Sequence, residues 1–204
     1  MHEAWSLYEP VGYSQGQASI TLPPEETLEN AYSDELAMSI SAEIETQIAE
    51  LKKKASDRKY KKKKMAILNR IGTIYARYGL MEKAGDQFKY VLKKKEYYPA
   101  LVNLGNIEFM HDDMEKALNY YRRADKIKPD QPFILVNMAK ANHELENYGN
   151  VRELYARVEK IDPALAKKYS YLGTMKGDLD KGRASDAKRI KKQMLWYDSS
   201  EEGD

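Results

Sequence analysis

Through the middle of this chain one small residue returns at a steady interval. Gly72, Gly105, Ala139 and Gly173 stand 33, 34 and 34 residues apart. Each directly follows a larger apolar residue (Ile71, Leu104, Met138, Leu172), and three residues before that stands another (Leu68, Leu101, Leu135, Tyr169). Steps of three and four place such groups on one stripe of a helix. A second stripe keeps the same period: Ala84, Ala117 and Val151; Phe88, Tyr121 and Tyr155; Val91, Ala124 and Val158. The spacing predicts two helices per period, in units of about 65–97, 98–131 and 132–165, with a fourth starting at 166. The small residue belongs where the paired helices lie closest. The aromatic of the second helix is expected to fill the gap toward the next unit. Valine-rich alternation is absent, so almost no sheet is expected.

Punctuation agrees with this division. Tyr78-Gly79, His111-Asp112-Asp113 and Asn147 predict the turns inside each pair. Pro99, Pro132 and Pro163 suit the first turns of helices, where a missing N–H costs least, and Asp162 suits the cap before Pro163. Upstream, Leu36, Ile40, Ile44, Ile48 and Leu51 form one stripe of a helix over 34–56 that Ser33 can cap. That helix is expected to shield the open side of the first unit; the sharper reading makes it a partner-binding or dimerising helix. Residues 1–33, with "LPPEE" and scattered Gly, Ser and Gln, read as an extended or disordered arm. The arm carries Trp5, Tyr8 and Tyr13 and is long enough to reach back into the repeats or to a second copy. Residues 177–197 read as a loop and a C-terminal capping helix with Ile190, Met194 and Leu195 on one side, and 198–204 as an acidic tail.

These columns resemble the tetratricopeptide repeat family. The large-x-x-large-small group matches at Leu68, Ile71, Gly72, at Leu101, Leu104, Gly105, and at Leu135, Met138, Ala139. The second-helix alanine and aromatic match at Ala84 and Phe88 and at Ala117 and Tyr121; the third unit has Val151 with Tyr155. The closing proline is present at Pro129 and Pro163 and replaced by Glu96 in the first unit. The resemblance implies an all-α fold, a right-handed α-solenoid of about three helical hairpins over residues 57–176 with flanking helices. It further implies a non-catalytic scaffold that holds a peptide or helix of another protein in a concave groove. One variety of the family grips a chaperone's C-terminal carboxylate. Of the positions that need matching side chains (Asn69, Thr73, Asn103, Phe133, Asn137), only Asn103 agrees, which argues against that ligand.

Composition narrows the picture further. The chain is 42% hydrophobic, enough for a core, and 32% charged, above the usual quarter, as solvated helix faces require. A net charge of +2 selects no partner by itself. Cysteine is absent, so there is no disulfide or thiolate metal site. No apolar run is long enough for a membrane span. The opening "MHEAWSLYEPVGY" lacks the pattern of a signal peptide. A cytoplasmic location is expected, or a periplasmic one should the chain be part of a longer exported protein. Charge concentrates at Lys52, Lys53, Lys54, Arg58, Lys59, Lys61, Lys62, Lys63 and Lys64; nine basic groups less Asp57 leave a local +8. That run offers an alternative role, an electrostatic adaptor for nucleic acid or an anionic membrane. Tyr60 alone accompanies it, and lysines read no base edges, so the run argues for a solvated surface over either partner.

Little points to chemistry. His111-Asp112-Asp113 has the residue types of a metal site, yet consecutive turn residues converge poorly on one ion. No catalytic spacing or phosphate-cradling loop stands out, and no enzyme, metal or cofactor is expected. The groove is expected to be lined by the free faces of the first helices: Asn69, Thr73 and Arg77; Val102, Asn106, Phe109 and Met110; Phe133, Val136, Lys140 and His143. Asn69 and Asn106 are expected to bond a peptide backbone, and Phe109 and Phe133 to anchor an apolar side chain.

Overall fold

The computed structural model describes residues 25–173 and 196–198. The described residues hold eight α-helices, two short 3-10 turns and no strand. The helices are α1 (Glu25–Ser56), α2 (Lys64–Arg77), α3 (Met81–Lys94), α4 (Tyr98–Met110), α5 (Met114–Ile127), α6 (Pro132–Glu144), α7 (Tyr148–Ile161) and α8 (Pro163–Lys168). The 3-10 turns are Arg58–Tyr60 and Ser170–Leu172. The chain divides into two compact units, Met1–Ala42 and Glu43–Asp204. The first contributes the helical residues 25–42; the rest of this account concerns the second.

Three hairpins, α2–α3, α4–α5 and α6–α7, make the closest packing, and α3 against α4 and α5 against α6 join them in series. α7 packs on α8, the first turns of a fourth unit. This is an α-solenoid, with each core layer shared by neighbouring units. One cluster joins Ile44, Ile48 and Ala55 of α1 to Leu68, Ile71, Ala84 and Phe88. The downstream half of the α1 stripe therefore covers the first hairpin. α1 begins at Glu25, eight residues before the Ser33 cap expected from sequence, so residues 25–33 are helical, not extended. Glu25 and Glu26 in its first turn favour that start through the helix dipole. Residues 1–24, the rest of the expected arm, lie outside the described residues, as do 174–195, which hold most of the expected loop and capping helix, and 199–204 of the acidic tail; Trp196 and Tyr197, the last positions expected in that helix, are not helical.

The turns inside the hairpins share one geometry. Gly79, Asp112 and Glu146 all have positive φ, of 76°, 64° and 59°. In each, the following N–H reaches back five residues: Leu80 to Tyr75 O, Asp113 to Glu108 O and Asn147 to Asn142 O, each at 2.9 Å. These bonds satisfy helix-end carbonyls that would otherwise lack a partner. Only the first unit places there a glycine, which adopts the left-handed conformation freely. Asp113 caps α5 by accepting from Lys116 N–H at 3.1 Å, and Asp162 caps α8 by accepting from Leu165 N–H at 2.9 Å.

The small-residue column does what its spacing requires, with one difference. A Cβ at Gly72 would overlap the Phe88 ring, and one at Gly105 the Tyr121 ring. In these units the aromatic lies on the glycine of its own hairpin, within core clusters that extend to Ala100 and Leu104 of the second unit and to Ile134 and Ala141 of the third. The third unit has Ala139, whose Cβ is present, and there the Tyr155 ring lies over Gly173 of the following unit. Its hydroxyl donates to Ala166 O at 3.2 Å.

Candidate functional site

α4 is apolar around nearly its whole circumference and buried along most of its length. Polar side chains on such a helix must find partners or cost stability. Asn103 finds them in a distant part of the chain. Its Oδ1 accepts the Tyr197 backbone N–H at 2.8 Å, and its Nδ2 donates to the Tyr197 carbonyl at 3.0 Å. Asn69 Nδ2 of α2 donates to the same carbonyl, also at 3.0 Å, while Asn69 Oδ1 accepts from Asn103 Nδ2 at 3.2 Å. Two side-chain amides, both fully buried, thus hold the N–H and the carbonyl of one residue. The arrangement resembles the pairing of a strand with a sheet edge, but with side chains in the edge's place.

The side chains of residues 196–198 are engaged as well. The Tyr197 ring meets Tyr98 of α4 edge-on, with centroids 5.5 Å apart, and Phe133 of α6 at 5.6 Å. The Tyr197 and Tyr98 hydroxyls lie 3.0 Å apart, and Lys128 Nζ donates to the Tyr98 hydroxyl at 3.1 Å. Trp196 packs against the core cluster of the first hairpin. Asp198 Oδ2 lies 3.8 Å from Arg70 Nε of α2, with the carboxylate side chain only 9% exposed. One three-residue segment therefore touches the first helix of every complete unit.

The residues expected to line the groove divide into several groups. Asn69 contacts the segment's backbone and Phe133 its ring. Val102 and Phe109 are fully buried in the core of the second hairpin, and Val136 in that of the third. All three are buried with the 196–198 segment in place, and Tyr197 itself packs against the cluster that holds Val102 and Phe109. Asn106, expected to bond a peptide backbone, accepts on its Oδ1 from the Tyr121 hydroxyl at 2.8 Å and from Asn137 Nδ2 at 3.2 Å. The buried Thr73 hydroxyl donates to Arg70 O at 2.8 Å. Arg77 is exposed, Met110 is half-buried, and His143, also half-buried, sits edge-on to Tyr148 and Tyr171. Lys140 is 1% exposed, with its Nζ 4.4 Å from the Tyr169 ring centroid. Burial, with Lys168 nearby as a second cause, lowers its pKa to about 8.

Residues absent from the expected lining are Arg70, Tyr98, Asn103 and the 196–198 segment. Asn103 had a signal: Asn69, Asn103 and Asn137 stand 34 residues apart in otherwise apolar surroundings. The segment had none, because nothing periodic links Tyr197 to Asn69 across 128 positions. Elsewhere, all nine basic side chains between Lys52 and Lys64 are exposed along the end of α1, the 3-10 turn and the start of α2. Among the described residues no cluster of three or more His, Cys, Asp or Glu is arranged to hold a metal ion, and no helix is long and apolar enough to cross a membrane.

Comparison with known proteins bears on the scaffold. Residues 98–131, the second hairpin with its following turn, match the tetratricopeptide repeat family model. The fold is similar to the crystal structure of a tetratricopeptide repeat protein from Parabacteroides merdae ATCC 43184, with a TM-score of 0.54 and 20% identity. The match covers 81% of this chain and 63% of that one, so the chain accounts for less than two thirds of its neighbour's length. No curated protein matches the sequence.

Proposed function

We propose that this tetratricopeptide-repeat chain is a non-catalytic scaffold that holds an extended peptide of a partner protein on the surface shared by α2, α4 and α6. Repeats of this family generally mediate protein–protein interaction, which supports a protein as the partner. The observation that carries the reading is the Asn103 side chain, which closes hydrogen bonds with both the N–H and the C=O of one residue, Tyr197. Such a clamp reads backbone and accepts any residue that presents an extended peptide unit. Asn69 and Asn103 are set by packing and by their mutual bond before a ligand arrives, which lowers the ordering cost of capture.

The test is selection of peptides from a random-sequence display library on the immobilised full chain and on an Asn69→Ala/Asn103→Ala variant. The wild type is expected to enrich a defined set that the variant does not. The same set recovered from both would remove the Asn pair, and with it this surface, from the function.

A further inference from the structure

The surface proposed to take a partner is already occupied by the chain itself. Backbone capture by Asn69 and Asn103 is indifferent to sequence, but the neighbouring contacts are selective. A tyrosine ring meets Tyr98 and Phe133, and its hydroxyl is bonded to Tyr98, which Lys128 in turn contacts. An acidic group lies beside Arg70. An indole packs on the first hairpin. A phenol hydroxyl adds a hydrogen bond to Tyr98 that the analogue lacking it cannot make.

We propose that the partner is an extended peptide bearing tyrosine followed by an acidic residue, with a large aromatic ahead of the tyrosine, and that Trp196-Tyr197-Asp198 is its built-in competitor. The proposal rests on the peptide-binding reading above and specifies its ligand. The competitor belongs to the same chain as the surface, so it competes intramolecularly, at a fixed local concentration. A partner must exceed that to enter. The device makes the surface available only to ligands that match all three contacts, or to any matching ligand once the tail is drawn away.

Fluorescence anisotropy tests this with a labelled peptide of residues 194–200, the full chain, and the full chain carrying Tyr197→Ala. Circular dichroism checks that both chains are equally helical. The peptide is expected to bind the Tyr197→Ala chain at least about tenfold more tightly than wild type, because the occupied fraction of sites limits the latter. The same peptide with Phe for Tyr197, or Asn for Asp198, is expected to bind the variant chain more weakly. Equal binding to both chains would overturn the competitor and leave the peptide-binding reading standing. Equal binding of a scrambled peptide would overturn the ligand chemistry and leave the Asn clamp standing. Binding of no peptide to the folded variant would end both. Wild type running as a dimer, and Tyr197→Ala as a monomer, in light scattering would show that the segment serves a second copy and would also overturn the proposal.

Discussion

Asn103 and Asn137 occupy the same place in successive units, 34 residues apart, and both are buried. Asn103 turns its amide to a peptide backbone from the far end of the chain; Asn137 turns its amide to Asn106 one unit back. The surroundings account for the difference. Around Asn103, Tyr98 and Phe133 leave room for an aromatic ring. Beyond Asn137, Lys140 lies buried against Tyr169. The glycine column divides at the same point: Gly72 and Gly105 receive the aromatic of their own hairpin, whereas Gly173 receives that of the unit before it. A repeat thus preserves the position of a side chain without preserving its task.

The largest effect should come from filling a crossing. Gly105→Val drives a branched side chain into the fully buried Tyr121 ring and displaces its bond to Asn106. A loss of about 3 kcal/mol is expected in urea unfolding. Ala139→Gly, which removes a single Cβ, should cost the helix-propensity difference, about 1 kcal/mol. Similar losses from the two changes would mean that the units do not differ at their crossings.

Next comes Lys140. Burial holds its pKa at about 8 in the folded chain against the ordinary 10.5. Below pH 8 the group is charged in both states, and folding carries the full desolvation penalty. Between about 8 and 10 the folded protein gives up the proton first, the penalty lifts, and stability should rise by up to about 2 kcal/mol. Above 10 the buried Tyr121 phenol, whose pKa burial raises, opposes the trend, because the unfolded phenol ionises first. Lys140→Met should abolish the rise in thermal melts taken at pH 7 and pH 9.5; a rise that survives the substitution would assign it elsewhere.

Asn103→Ala should release the 196–198 segment at a cost of about 1–3 kcal/mol. In a Trp5→Phe background the emission of Trp196 should shift to the red. Asn137→Ala should lose about 1 kcal/mol and leave that emission unchanged. Identical spectra for the two variants would erase the contrast between the units. The smallest effect concerns the turns: Glu146→Gly relieves a left-handed backbone in a non-glycine residue and should stabilise by about 0.5–1 kcal/mol, whereas Gly79→Ala should do the reverse.

Much of the scaffold was legible because its causes are local. The Leu-x-x-Leu-Gly groups, the turns at Gly79 and Asp112 and the cap at Asp162 each depend on residues a few positions apart. The groove was legible only in part. The sequence marks Val102, Asn106 and Phe109 as belonging to first helices, but it does not say how much of α4 is enclosed. That depends on everything that packs around it, the 196–198 segment included, and all three are buried in the folded chain. Tyr98 and Arg70 sit on the same helices and became functional candidates only once Tyr197 and Asp198 were seen against them.

Periodicity alone determined that helices pair, where they turn and which positions hold the small residues, since those relations repeat every 33 or 34 positions and involve neighbours in the chain. The tertiary structure decided which two of three equivalent asparagines face a peptide and what that peptide is. Those contacts join residues 94 to 128 positions apart, and a distant pair leaves no mark on a local pattern until folding brings its members within hydrogen-bond reach.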